Sequence, residues 1–192
     1  SRLEGWDGCG GYHYTDSIIY GFSHTHLSGT GVSDYGDILL MPTTGKLFFN
    51  NGADGAPGYN SKFSHQNETA RPGFYQVKLE DYNINVELTT SERVGFHKYT
   101  FPKNNAAQVL LDLEHRDKLI DHKIEIIDSS SLQGIRYSEN WAKQQKVHFY
   151  IKFSKPFKHI IFNEHHSVAG IKFGKLNAPL LIKVGISAVN TE

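Results

Sequence analysis

The chain is predicted to be all-β: an antiparallel sandwich of about a dozen strands with few or no helices. Three observations predict it. Apolar and polar residues alternate with a period of two along most of the 192 residues. Aromatic residues are abundant, with 10 Tyr and 12 Phe, and rings pack well on a pleated face. Turn-forming residues recur at short intervals, and 3.6-residue periodicity is almost absent.

Taken in order, Ser17–Ser23 and Asp37–Met41 read as strands flanking a Gly-rich loop. Phe74–Leu79 and Tyr82–Thr90 follow, joined by a turn at Glu80 and Asp81. Arg93–Phe101 alternates cleanly and stops at Pro102, which cannot continue a central ladder. Gln108–Leu113 is a short apolar strand. Asp121–Asp128 and Leu132–Tyr137 form a hairpin around Ser129–Ser131. Lys146–Ser154, Phe157–Phe162, Val168–Phe173 and Leu180–Val189 complete the set. Along Lys146–Ser154 the inward residues are Val147, Phe149, Ile151 and Phe153, a stripe that suits a core. The longest irregular stretch, Phe49–Gly73, is too long for an idle connection and reads as a binding or mobile loop. The whole chain, 1–192, reads as one β-sandwich domain.

Composition excludes several functions. Lys plus Arg equals Asp plus Glu at 20 each, so no basic field draws nucleic acid or anionic lipid. No apolar run reaches the length of a membrane-spanning helix. Cys9 is alone, so no intrachain disulfide forms. There is no phosphate-binding loop, dinucleotide fingerprint or Ser elbow. The start at Ser1, directly before a motif and without a signal peptide, reads as a trimmed end.

Chemistry concentrates in Gly5–Pro42, GWDGCGGYHYTDSIIYGFSHTHLSGTGVSDYGDILLMP. Four glycines surround Trp6, Asp7 and Cys9, so the backbone there can approach a ligand and present an indole face and a carboxylate. A tight turn with Trp6 in the core explains the same residues. His24 and His26, two apart, share a face if the segment is extended, and could line a polar cleft. Glycosidic hydrolysis needs two carboxyl groups flanking the bond. Asp7, Asp16, Asp34, Asp37, Glu80 and Asp81 are available, but none has a context that marks it as the acid, and no catalytic pair is assigned.

The same block closely resembles the signature of glycoside hydrolase family 92, calcium-dependent exo-α-mannosidases. The likeness continues through ARPGFYQVKLEDYNINVELTTSERVGFHKYTFP (Ala70–Pro102), LDLEHRD (Leu111–Asp117), SENWAKQQKVHFYIKFSKPF and the closing LLIKVGISAVNTE. The resemblance implies the amino-terminal domain, a sandwich of the supersandwich type, of a two-domain enzyme. Its partner would be a larger (α/α)6 barrel that is absent from this chain. It implies removal of terminal α-linked mannose with inversion, catalytic carboxylates on the barrel, and a calcium ion held mainly by residues outside this chain. The implied partners are mannose-containing glycans and the barrel, and the implied location is periplasmic or secreted. By the same resemblance Trp6, Asp7, Cys9, His24 and His26 are expected at the substrate cleft, with Trp6 as an apolar platform. The chain alone is expected to be inactive. An early segment of the family, preceding Ser1, is expected to be missing, leaving a raw sheet edge. The rival reading is a free-standing carbohydrate-binding sandwich.

Overall fold

The computed structural model describes residues 11–25, 27, 33–36 and 38–191. Fifteen strands and one 3-10 turn lie among them. In chain order the strands are β1 (Ile18–Ile19), β2 (Phe22–Ser23), β3 (Leu39–Thr44), β4 (Ser61–Lys62) and β5 (Glu68–Arg71). Next come β6 (Phe74–Leu79), β7 (Ile84–Thr90), β8 (Val94–Thr100), β9 (Ala106–Asp112) and β10 (Lys118–Asp128). The last five are β11 (Ser131–Glu139), β12 (Gln145–Phe153), β13 (His159–Phe162), β14 (Val168–Lys175) and β15 (Leu180–Ser187).

Two antiparallel sheets face each other. The larger has eight strands in the order β10-β11-β12-β15-β8-β7-β6-β5, and the smaller has five, β13-β14-β9-β3-β2. β1 pairs with β4 in a separate two-stranded ladder. The alternation seen in the sequence becomes the core. Val147, Phe149, Ile151 and Phe153 on β12 are all buried, with exposed or half-buried residues between them. β3 and β9 are buried on both faces, which explains why their sequences are nearly continuous apolar runs. Pro42 sits within β3 without breaking a central ladder, because β2 pairs only with Leu39 and Leu40 and ends before reaching it.

Two expectations are refined. Ser17–Ser23, read as one strand, is two short ones, since β1 pairs with β4 while β2 joins β3. The irregular Phe49–Gly73 stretch contains β4, a 3-10 turn (His65–Asn67) and β5, the edge strand of the large sheet. Its Asn-Gly portion is organised by side chains that substitute for a ladder. Asn50, Asn51 and Asp54 each accept a backbone N–H two residues on, and Tyr59 anchors the end in the core.

Candidate functional site

Two adjoining depressions open between β2 and strands of the large sheet. One groove of about 530 Å³ runs over β5 to β8 and β15, and a second of about 360 Å³ adjoins it towards Tyr12. They share Phe22, Ser23, Ala70, Tyr75 and Leu88. Phe22, Tyr75 and Leu88 supply an apolar floor, while His24, Arg71, Glu92 and Arg93 line the first groove. An apolar floor with a few polar groups is the usual build of a small-molecule site.

His24 lies just past β2 and belongs to the Ser23–Thr25 part of the signature. Its Nδ1 contacts the Ile38 carbonyl, and its Nε2 lies 2.7 Å from Nε2 of His97. His97 Nδ1 in turn lies 2.6 Å from the Tyr99 hydroxyl. His97 and Tyr99 alternate on β8 and so share a face. Both nitrogens of His24 are thus engaged by protein partners, and its long-range neighbour is His97. Trp6, Asp7, Cys9 and His26, the other expected cleft residues, lie outside the described residues, as does Asp37.

The segment that follows the Trp6–Cys9 motif is clamped to the rim of the second groove. Glu68, on β5, accepts hydrogen bonds from Tyr12 (3.1 Å), Tyr75 (2.6 Å) and His65 Nδ1 (2.6 Å). His65 Nε2 donates to the Tyr14 carbonyl at 2.5 Å, and the Tyr14 ring stacks on His65 at 4.3 Å. Both partners of His65 are acceptors, so the geometry favours the doubly protonated ring. The bond to Glu68 raises the His65 pKa accordingly. Burial of Glu68 opposes its charge, but its bonds to Tyr75, His65 and Tyr12 outweigh this and lower its pKa. Burial and Glu68 together push Tyr12 up to about 12.

The clamp therefore has a pH window. His65's contribution is complete below its ordinary 6.5 and fades as pH rises through its raised value. Glu68's is complete above its ordinary 4.5 and fades as pH falls through its lowered value. Glu68→Gln should cost about 1–2 kcal/mol. In thermal melts of wild type and variant across pH, the Tm difference should be largest between those two values and narrow on both sides.

Other polar residues singled out in the sequence are braces. Asp34 is buried and accepts from Trp141 N (3.1 Å), Ala142 N (3.3 Å) and Gln145 Nε2 (2.8 Å), tying the early loop to the β11–β12 turn. In the LDLEHRD run, Asp112 accepts from Tyr59 (2.5 Å) and Glu114 N (2.6 Å), and Asp117 pairs with Arg136 at 2.5 Å. These carboxylates are committed to folding. Among the described residues no three His, Cys, Asp or Glu side chains converge to hold a metal ion. No helix is long and apolar enough to cross a membrane.

Sequence reasoning missed Gly95, His97 and Arg136. The alternation of Gly95, His97 and Tyr99 on one strand face was a signal, but a partner 73 residues away was not readable.

Comparison with known proteins places this arrangement. The model of the glycosyl hydrolase family 92 N-terminal domain matches residues 1–187. A family GH92 α-mannosidase from Bacteroides thetaiotaomicron, solved in complex with mannoimidazole, superposes with a TM-score of 0.91 at 30% identity over 99% of this chain. A family GH92 inverting mannosidase from the same organism superposes with a TM-score of 0.79 at 25% identity over 98%. An uncharacterized secreted glycosidase of the fungus Arthroderma benhamiae is 32% identical over 111 residues, 54% of this chain. This chain spans 28% and 27% of the two solved relatives and 14% of the fungal one. With its two facing antiparallel sheets and a family match running almost end to end, the chain belongs to the glycosyl hydrolase family 92 N-terminal domain family.

Proposed function

We propose that residues 1–192 are the single amino-terminal β-sandwich domain of an exo-acting, inverting α-mannosidase with α-1,2 preference. Its catalytic (α/α)6 barrel belongs to the same full-length protein. The sandwich binds no reactive atom by itself. It contributes one wall of the mannose-binding cleft, with Trp6, Asp7, Cys9, His24 and His26 on that wall and the groove beside His24 bordering it. The observation that carries this reading is the family match over residues 1–187 together with the superposition on a GH92 α-mannosidase.

Chemistry supports the division of labour. Inversion requires an acid and a base about 6.5–9.5 Å apart with a water between them. The buried carboxylates Asp34, Asp112 and Asp117 are held by backbone amides, Tyr59 and Arg136, which leaves them unsuited to that work. In the proposed enzyme the pair, and the residues that bind calcium, come from the barrel. Calcium would supply help in binding and distorting the sugar. A secreted or periplasmic location accords with the fungal relative's name.

The test is hydrolysis of a small α-mannoside with calcium, by this chain and by the chain continued into its native downstream sequence. Activity only in the extended protein is expected. Turnover by the chain alone would overturn the reading. Glycan affinity of the chain alone, unchanged by the extension, would favour a free-standing carbohydrate-binding module. Trp6→Ala in the extended protein should raise KM, and unchanged kinetics would remove Trp6 from the cleft.

A further inference from the structure

Three side chains between β2 and β8 form a hydrogen-bond chain whose direction follows from their chemistry. The Ile38 carbonyl can only accept, so His24 Nδ1 carries a hydrogen and donates to it. A neutral His24 then offers a lone pair at Nε2. The hydrogen between the two facing Nε2 atoms, 2.7 Å apart, therefore belongs to His97. His97 Nδ1 is left as an acceptor, and the Tyr99 hydroxyl donates to it at 2.6 Å. Every nitrogen and the hydroxyl hydrogen are satisfied without a net charge.

The reverse direction is costly. It places a cation on His24 and turns the Tyr99 hydroxyl hydrogen away from its acceptor in a fully buried position. Burial, and next the neighbouring His24, keep the His97 pKa far below the ordinary histidine range. Burial alone drives Tyr99 well up. Among the described residues the charged groups lining the same groove are Arg71, Glu92 and Arg93. Tyr75, a further titratable neighbour among the described residues, is raised by burial and by Glu68 and stays neutral.

Gly95 completes the seat. It lies two residues before His97 on the same face of β8, and a Cβ added there would meet His24 Cδ2 at 2.8 Å. Only a residue without Cβ lets the imidazole lie against the strand. The His24 and His97 rings then stack at 4.7 Å.

We propose that Gly95, His97 and Tyr99 are positioning residues that seat His24 as its neutral Nδ1–H tautomer, with both nitrogens committed to the protein. His24 then serves the sugar cleft through its ring, and is neither an acid, a base nor a metal ligand. The proposal rests on the reading that this groove borders the glycan site.

The experiment uses the full-length enzyme. Imidazole ¹⁵N spectra near neutral pH, assigned with His24→Gln and His97→Gln, should show Nδ1–H for His24 and Nε2–H for His97. His97→Leu should raise KM about tenfold with kcat within about twofold, the pattern of lost ground-state positioning. His97→Gln keeps an N–H donor for His24 and should stay within about threefold of wild type, while the near-isosteric Tyr99→Phe should raise KM about threefold. A protonated or Nε2–H His24 overturns the proposal. So does an unchanged KM in His97→Leu and Tyr99→Phe when His24→Ala raises it, and in that case the cleft reading stands. If His24→Ala is itself silent, the cleft reading fails and the positioning role goes with it, while the spectra still report the seat. Should His97→Leu not fold, Tyr99→Phe carries the kinetic arm.

Discussion

Replacing Arg136 with alanine should lower the stability of the sandwich by about 3–5 kcal/mol, the cost of leaving a buried charge without its partner. Arg136 projects from β11 and is fully buried, as is the Asp117 carboxylate that it pairs with at 2.5 Å. Its guanidinium also donates to the carbonyls of Leu113 (2.7 Å), Asp117 (3.2 Å) and Gly36, and to Ser138 Oγ (2.7 Å). One side chain therefore ties the large sheet to the ends of β9 and β10 and to the loop before β3. In a domain of this size the change should lower Tm by roughly 10 °C, read by circular dichroism. Burial holds Asp117 above its ordinary 3.8, against the pull of Arg136 and Ser138. Without Arg136 that pKa rises further, so the deficit is present at neutral pH and shrinks as pH falls towards the ordinary aspartate value. Pairing Arg136→Met with Asp117→Leu should recover much of the loss, because both charges then leave the interior together.

A second large effect is expected where Phe149 faces Gly134. The two are register partners on β12 and β11. Phe149 is buried, and its ring fills the space above the glycine, where an added Cβ would lie 2.5 Å from Cζ. Phe149→Ala should cost about 3–5 kcal/mol, from lost burial and the cavity left behind. Gly134→Ala fails in the opposite sense. Its Cβ would meet the Lys123 carbonyl oxygen at 2.0 Å, and a backbone atom of the neighbouring strand cannot swing aside. Overpacking of this kind costs about 1–3 kcal/mol or more. Chemical denaturation should show both variants with lower midpoints, and combining the two should not be additive, since they share one contact.

The sandwich itself was legible in the sequence. Period-two alternation in Lys146–Ser154 identified the buried stripe Val147, Phe149, Ile151 and Phe153, and Pro102 marked the end of β8. Alternation reports which side of a pleated strand faces the core, and that is a local property. β5 escaped notice because Glu68–Arg71 is an exposed edge strand without an apolar face. The LDLEHRD run was recognised as part of a resemblance, but its task of gripping Tyr59, Arg136 and the start of Glu114 could not be read from it.

What the sequence by itself determined is the all-β class, most strand positions and, through its Gly5–Pro42 signature, the family. Only the tertiary structure decided that His24 faces His97 instead of standing free, that Arg136 is the buried counter-charge of Asp117, and that Glu68 clamps Tyr12 and His65. The physical reason is clearest for the first two. Strand pattern is set by neighbours two residues apart, whereas the pairing of a buried polar group is set by whichever distant strand the sheet order brings within 3 Å, and in a sandwich that partner is often far along the chain.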